Sequence, residues 1–381
     1  MDKKILILLL SIFLSSCSSI KIAENVFINT RNDLLFEGGD IGNTNISKTD
    51  SNIKPPFKLL WDYKIEAGFP YNSILVTDYI AFVSTLRSEI FAIDLSSGKR
   101  LGDFTLKAKG SDACALIYRD NLIRNTYDDE DSYLLSYNYI TGETKWIIDF
   151  RTALSSGVLY NDLLYVSSRD GKIFSVEPVH GKVKDTFYTK EKNLSNSFFA
   201  KPVIDNNKIF CGNINGFIYC YSLSSKRLEW KFKTEGPVYC PLSVYKNLVF
   251  FGCDDRNFYC IDTSGNLLWK KALETKFLSS STFFADFVIT AGIDGNVYCL
   301  DINSGNQVWK FGTRGTITAT PFRHQDMVFI GSFDGNLYCL DANNGSKLWS
   351  YKTGGRIRTT SVVWNTFILT ASDDKRVYCF K

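Results

Sequence analysis

The residues of this chain best suited to chemistry are ten cysteines, two histidines and a series of aspartates at even spacing. Six of the cysteines follow a tyrosine, at Tyr239-Cys240 and in the repeating pairs Tyr219-Cys220, Tyr259-Cys260, Tyr298-Cys299, Tyr338-Cys339 and Tyr378-Cys379. Thiolates gathered in fours bind zinc or iron–sulfur clusters, and a well-placed pair can close a disulfide. The spacing argues against a ligand set. "DGNVYCLDINSGNQVW" at 294–309 and "DGNLYCLDANNGSKLW" at 334–349 are copies of one pattern, and fainter copies fill most of the chain. Read down eight copies, the cysteine column is Ala92, Ser136, Ser175, Cys220, Cys260, Cys299, Cys339 and Cys379. A ligand column would not admit alanine once and serine twice. A column of small hydrophobes does.

The remaining candidates reduce to architecture in the same way. Counting two-residue hairpins back from the tyrosine column places small residues such as Gly212, Gly252 and Gly331 opposite the rings. The same count through Asn215-Gly216 sets Cys211 opposite Cys220, a candidate cross-strand disulfide for an oxidising compartment. Such a bridge is strained, and both the bonded and the free state stay open. Asp94, Asp262, Asp301 and Asp341 suit the capping of the turns that follow them. "DINSG" superficially suggests a calcium loop, yet Gly312 stands where the bidentate glutamate would be. His180 and His324 fall at turns, the second in an exposed hairpin, and neither has a metal or triad partner in sequence. The run Asp128–Asp131 reads as solvated surface. No catalytic, cofactor-binding or metal residue is assigned.

Positioning these columns requires short strands. The seventh copy alternates over 317–322, 327–332, 336–341 and 347–352, separated by a polar turn at 323–326 and by Asp334-Gly335 and Asn344-Gly345. Four strands in about forty residues, repeated, predict a β-propeller blade. Trp61, Trp146, Trp230, Trp269, Trp309 and Trp349 mark copies and are predicted to wedge between neighbouring blades. Gly102 and Asp185 hold that position in two copies, with Phe104 and Phe187 nearby. The last copy lacks its tryptophan strand, while a lone one stands at 59–68. Pairing the two ends predicts an all-β, eight-bladed propeller closed into a ring, which removes exposed edges.

Composition bounds the partners. Forty-four Lys and Arg against forty Asp and Glu give +4 without a basic block, which argues against nucleic acid. The N-terminus places Lys3 and Lys4 before the apolar run Ile5–Leu14 and then Leu14-Ser15-Ser16-Cys17. The run is too short for a permanent membrane span and has the order of a signal peptide. It resembles the bacterial lipoprotein signal, which implies cleavage before Cys17 and lipidation of that residue. The expected organisation is a signal peptide at 1–16, a lipidated tether and lead-in at 17–56, and a propeller at 57–381.

The pattern D-G-x-x-Y-x-L-D-x-x-x-G-x-x-x-W resembles the PQQ-like propeller repeat, shared by quinoprotein dehydrogenases and BamB-type outer-membrane assembly lipoproteins. Quinoproteins carry a vicinal Cys-Cys bridge and an acidic metal site, and this chain has no Cys-Cys dipeptide. The BamB resemblance implies a non-enzymatic scaffold without a cofactor, anchored through lipid in the bacterial envelope, facing the periplasm from the outer membrane and meeting barrel-assembly components. The alternative is a PQQ-binding or other small-ligand propeller in the periplasm. Lys233, Lys276, Arg314, Arg356 and Arg358 lie near the inner strands, and they read either as an anion-attracting mouth or as a scattered solvated rim.

Overall fold

The computed structural model describes residues 33–105, 108–128, 131–189 and 196–381, so Cys17 and the signal segment lie outside it. Eight four-stranded antiparallel sheets follow one another around an axis. Blade 1 comprises Ile74–Thr77, Ile80–Ser84, Glu89–Asp94 and Arg100–Thr105, ordered outward from the axis, and six further blades repeat this scheme to Lys352. In blade 8 the strands Val362–Trp364, Phe367–Ser372 and Arg376–Phe380 are completed by Leu59–Lys64, which pairs with the last of them. The ring is therefore closed by the N-terminal strand. Among the described residues no helix occurs, and none is long and apolar enough to cross a membrane.

Tight turns set the register. Several hairpins between the first and second strands are two-residue turns with both φ positive, as at Asn206-Asn207 and Lys246-Asn247. This geometry matches the strand twist and suits Asn. The next hairpin differs from the sequence expectation. Gly292 N–H bonds to Asn296 O, leaving a three-residue loop that ends on Gly295 at φ 82°. The added residue shifts the pairing by one. Tyr298 faces Thr290, whereas Ala291 faces Val297. In blade 4 Cys211 faces Tyr219 and Cys220 faces Phe210, so the two cysteines point to opposite sides of the sheet. Both are free thiols. The cross-strand disulfide is thereby corrected, because one residue of slip flips every side chain. The innermost strand of blade 7 is also shorter and later than expected, at Phe322–His324, since residues 316–321 cross from the rim to the axis.

The small column has a clear packing role in this register. Cys220 lies between Phe210 on one side and Trp230 on the other, and Cys260 between Phe250 and Trp269. Phe210 and Trp230 ring centres stand 5.8 Å apart and those of Phe250 and Trp269 6.1 Å apart, so only a small residue fits between. Each indole then reaches the next blade. Trp61, Trp146, Trp230, Trp269 and Trp309 donate Nε1–H to turn carbonyls of the following blade at 2.7–3.2 Å. A glycine lies under each ring. A Cβ at Gly305 would come within 2.6 Å of Trp269. At the closure that turn does not exist, and Trp349 packs edge-on against Phe57 and Phe380 instead. Where Gly102 and Asp185 replace tryptophan, Phe104 stacks on Tyr137 and Phe187 meets Tyr221 edge to face.

Candidate functional site

The chemistry-bearing columns are engaged in structure. Burial pushes the thiols of Cys220, Cys260 and Cys299 up to about 12, which removes the thiolate that a ligand or nucleophile needs. Tyr259, Tyr298 and Tyr338 donate their hydroxyls to Asp255, Asp294 and Asp334, four residues earlier in the hairpin. That bond explains the D-G-x-x-Y spacing and was not foreseen from sequence. Asp301 caps its turn, and hydrogen bonds from the Ser304 N–H and hydroxyl hold its carboxyl below the usual range. Among the described residues no group of three His, Cys, Asp or Glu side chains assembles a metal site. His180 is exposed and bonds Glu177 at 2.9 Å. His324, expected in an exposed hairpin, is buried, with Nε2 2.7 Å from the Ser51 carbonyl, and burial lowers its pKa. The lead-in covers it.

That lead-in occupies the axis. Inner strands of a propeller turn an unpaired backbone edge toward the centre, and residues 33–51 cross it as a strap that meets the blades in ring order. Leu34 exchanges backbone bonds with Val76 of blade 1 at 2.9 and 3.2 Å. Leu35 accepts from Ile117 of blade 2, Ile41 from Ile204 of blade 4, and Gly42 from Val244 of blade 5. Leu35 and Ile41 pack against the same apolar cluster as Leu159 of blade 3. Asn45 donates to Ser281 O of blade 6 and accepts from Arg323 N–H of blade 7, while Ser47 Oγ donates to Val363 O of blade 8. Asn43 and Asn45 hold positive φ and are buried. Lys201, also buried, donates its ammonium to the Glu37 carbonyl, and burial lowers its pKa. The cavity left between strap and inner strands has a volume of about 10 Å³, space for roughly one water.

Two buried cations escaped the sequence reading. One is Lys201. The other is Arg124 of blade 2, which donates to Ser111 Oγ and to the Glu89 and Thr85 carbonyls of blade 1 at 2.5–2.9 Å. Burial lowers its pKa to about 10. The visible signal was an arginine inside the apolar strand Asn121–Tyr127, in the copy whose hairpin is irregular.

The connections from each outer strand to the next inner strand line one face of the ring. Phe199, Tyr239 and Leu278 occupy successive connections leading into blades 4, 5 and 6, each 37–39% exposed. Phe199 and Tyr239 rings stand edge to face at 5.5 Å, and the Arg169 guanidinium lies 3.6 Å from the Phe199 centre. The arc continues with cations. Lys276 pairs with Asp254 at 2.6 Å, and Arg358 and Arg356 approach Asp373 at 2.9 and 4.0 Å. Arg314 donates its backbone N–H to Asp334. Lys233 stands apart, its ammonium on the Asn215 carbonyl of its own blade. Three of the five sequence-chosen cations are thus matched by carboxylates on the same face.

These features define a class: a closed propeller whose axis is filled by its own chain and whose connection face is open. The family model described as outer membrane protein assembly factor BamB matches residues 58–264 and 254–380, and the chain belongs to that family. The solved BamB from Moraxella catarrhalis is 15% identical, with TM-score 0.70, covering 85% of this chain and 99% of its own. Quinohemoprotein alcohol dehydrogenase from Comamonas testosteroni is 12% identical, with TM-score 0.74 and coverage of 92% and 80%. A europium-containing methanol dehydrogenase is 11% identical, with TM-score 0.73 and coverage of 92% and 89%. At such identities the structural likeness carries the fold alone. A search of curated proteins finds no relative. The strap fills the axis, the sequence has no Cys-Cys dipeptide, and among the described residues no group of three His, Cys, Asp or Glu side chains gathers there.

Proposed function

We propose that this protein is a non-enzymatic, lipid-anchored propeller of the bacterial envelope that holds partner proteins against its connection face during assembly of outer-membrane β-barrels. Membership of the BamB family supports the scaffold role at family level. One observation carries the rest: the half-exposed Phe199–Tyr239–Leu278 arc with Arg169 stacked on it, on a ring whose axis is already filled. Aromatic and arginine clusters are the groups that dominate protein–protein binding. Lys276, Arg314, Arg356 and Arg358 extend the arc and suit carboxylates of the partner. The anchor is Cys17, and the site faces the periplasm.

Affinity capture from detergent-solubilised envelopes tests this reading. The wild-type chain recovers a barrel-assembly component, and Phe199→Ala with Tyr239→Ala loses it while circular dichroism stays unchanged. Recovery of no such component sinks the assembly role. Titration with PQQ and calcium separates the alternative, since saturable new absorbance would overturn the non-enzymatic reading. Cys17→Ser releases the protein from membranes if that residue carries the lipid.

A further inference from the structure

The repeats disagree in one column that the structure places on the circumference. In every blade the outermost strand bulges one residue before the tryptophan position, so that residue has no partner across the sheet. In blades 2, 3 and 4 the bulge residue is Lys145, Lys184 or Glu229, each exposed. In blades 5, 6, 7, 8 and 1, which are neighbours around the ring, it is Leu268, Val308, Leu348, Leu60 and Leu101, each 41–50% exposed. A bulge blunts a sheet edge with any side chain, and a charged one does it best. Five adjacent aliphatic groups in solvent serve nothing in the fold.

The charges on these strands lean to one side, although Lys64 and Lys270 are paired with Glu66 and Glu235. The outermost strands of these five blades hold seven lysines and arginines, six of them lysine, against Asp62 and Asp103. Both aspartates are already paired, with Arg376 and Arg100. The outermost strands of blades 2 to 4 hold five cations against four anions.

Composition selects the occupant. Protein interfaces are rich in Tyr, Trp, Phe and Arg and poor in Lys. This arc is leucine, valine and lysine: apolar groups that enter the acyl boundary, and stems that lie along it while their ammonium heads meet anionic headgroups.

We infer that the middle of this arc, the rim of blades 6 to 8, is a second membrane contact that rests on an anionic lipid surface. Five consecutive blades sweep half of the circumference, so a flat bilayer meets only the middle of the arc. Leu348 sits deepest, with Val308 and Leu60 beside it, and Leu268 and Leu101, a quarter-turn away, stand clear of the surface. This goes beyond the scaffold reading and is independent of the partner.

The test uses the full lipidated chain with a single new thiol, Leu348→Cys, Val308→Cys, Leu268→Cys or Lys184→Cys, carrying an environment-sensitive fluorophore. The nine native cysteines of the described residues are buried and stay unlabelled. On phosphatidylethanolamine–phosphatidylglycerol vesicles the label at 348 shifts to blue emission, at 308 shifts less, and at 268 and 184 does not shift. Added salt reverses the shift, and Leu348→Asp abolishes it at position 308. No shift at 348 on these vesicles overturns the proposal. An equal shift on neutral phosphatidylcholine vesicles overturns the anionic surface. A shift that appears without vesicles as protein concentration rises makes the rim an interface between copies, which also overturns it. Vesicle flotation reports anchoring separately, so a missing lipid at Cys17 and a missing rim contact give different results.

Discussion

At the axis, eight inner strands turn unpaired edges toward one another; at the circumference, eight outer strands turn theirs to solvent. The inner edges are met by main-chain bonds, side-chain bonds or packing from a strap that has no counterpart in the repeat. The outer edges are blunted by a bulge written into every copy, and five of them are sealed sideways by an indole on the next blade. The difference teaches where specificity lies. Devices that recur carry the ring, whereas the strap and the choice of bulge residue are particular to this chain.

Four expectations would break or sharpen that contrast. Trp269→Ala removes a nearly buried ring and its bond to Ile302 O, and should cost about 3–5 kcal/mol in urea unfolding. Asp185→Ala, at the equivalent place in blade 3, should cost far less. Asn45→Ala at the inner edge removes the amide bonds to the Asn43 and Ser281 carbonyls, leaving them only Ser243 Oγ, and puts alanine at φ 54°; it should cost about 1–3 kcal/mol. Hydrogen exchange should then show lost protection at Val244 and Arg323, on blades that the residue 45 side chain does not touch. Equal protection in wild type and variant would mean that the strap does not act as one unit.

The pH dependence follows from the small column. Unfolded thiols release protons near 8.5, while burial holds Cys220, Cys260 and Cys299 protonated up to about 12. Above 8.5 the unfolded chain binds fewer protons than the folded one, so stability falls as pH rises across that window. The urea midpoint measured from pH 8 to pH 11 checks it, and serine at the three positions should flatten the slope. The smallest effect belongs to the rim. Leu348→Ser changes a half-exposed side chain and should alter stability by less than about 0.5 kcal/mol, although it weakens binding to anionic vesicles.

The number of blades, the closure by the N-terminal strand and the small identity of the cysteine column were legible because each is stated several times over. Register was not. Asp294-Gly295 reads as a two-residue turn, but the loop takes a third residue because Gly295 closes it in the left-handed region, and Cys211 moves away from Cys220 in the same step. His324 could not be read as buried, since what covers it is Ser51, distant in sequence and outside the repeat. The cations near the mouth were visible as residues, while their pairing with Asp254 and Asp373 depends on which connections the ring brings side by side. The bulge column was present in the alignment all along. It carried no meaning until the extra residue was seen to stand on the circumference.

The strap and the closing strand also set the order of events during synthesis. Residues 33–64 emerge before blades 1 to 7, yet Ser47 waits for Val363, 316 positions later, and Leu59–Lys64 waits for Arg376–Phe380. Blades 1 to 7 can form as local units while the chain emerges, with only neighbouring strands to find. The strap is complete once Val363 is present, whereas the ring waits for Arg376–Phe380. Without that strand, Leu59–Lys64 and Phe367–Ser372 would each be left with an unpaired edge while the axis stayed filled.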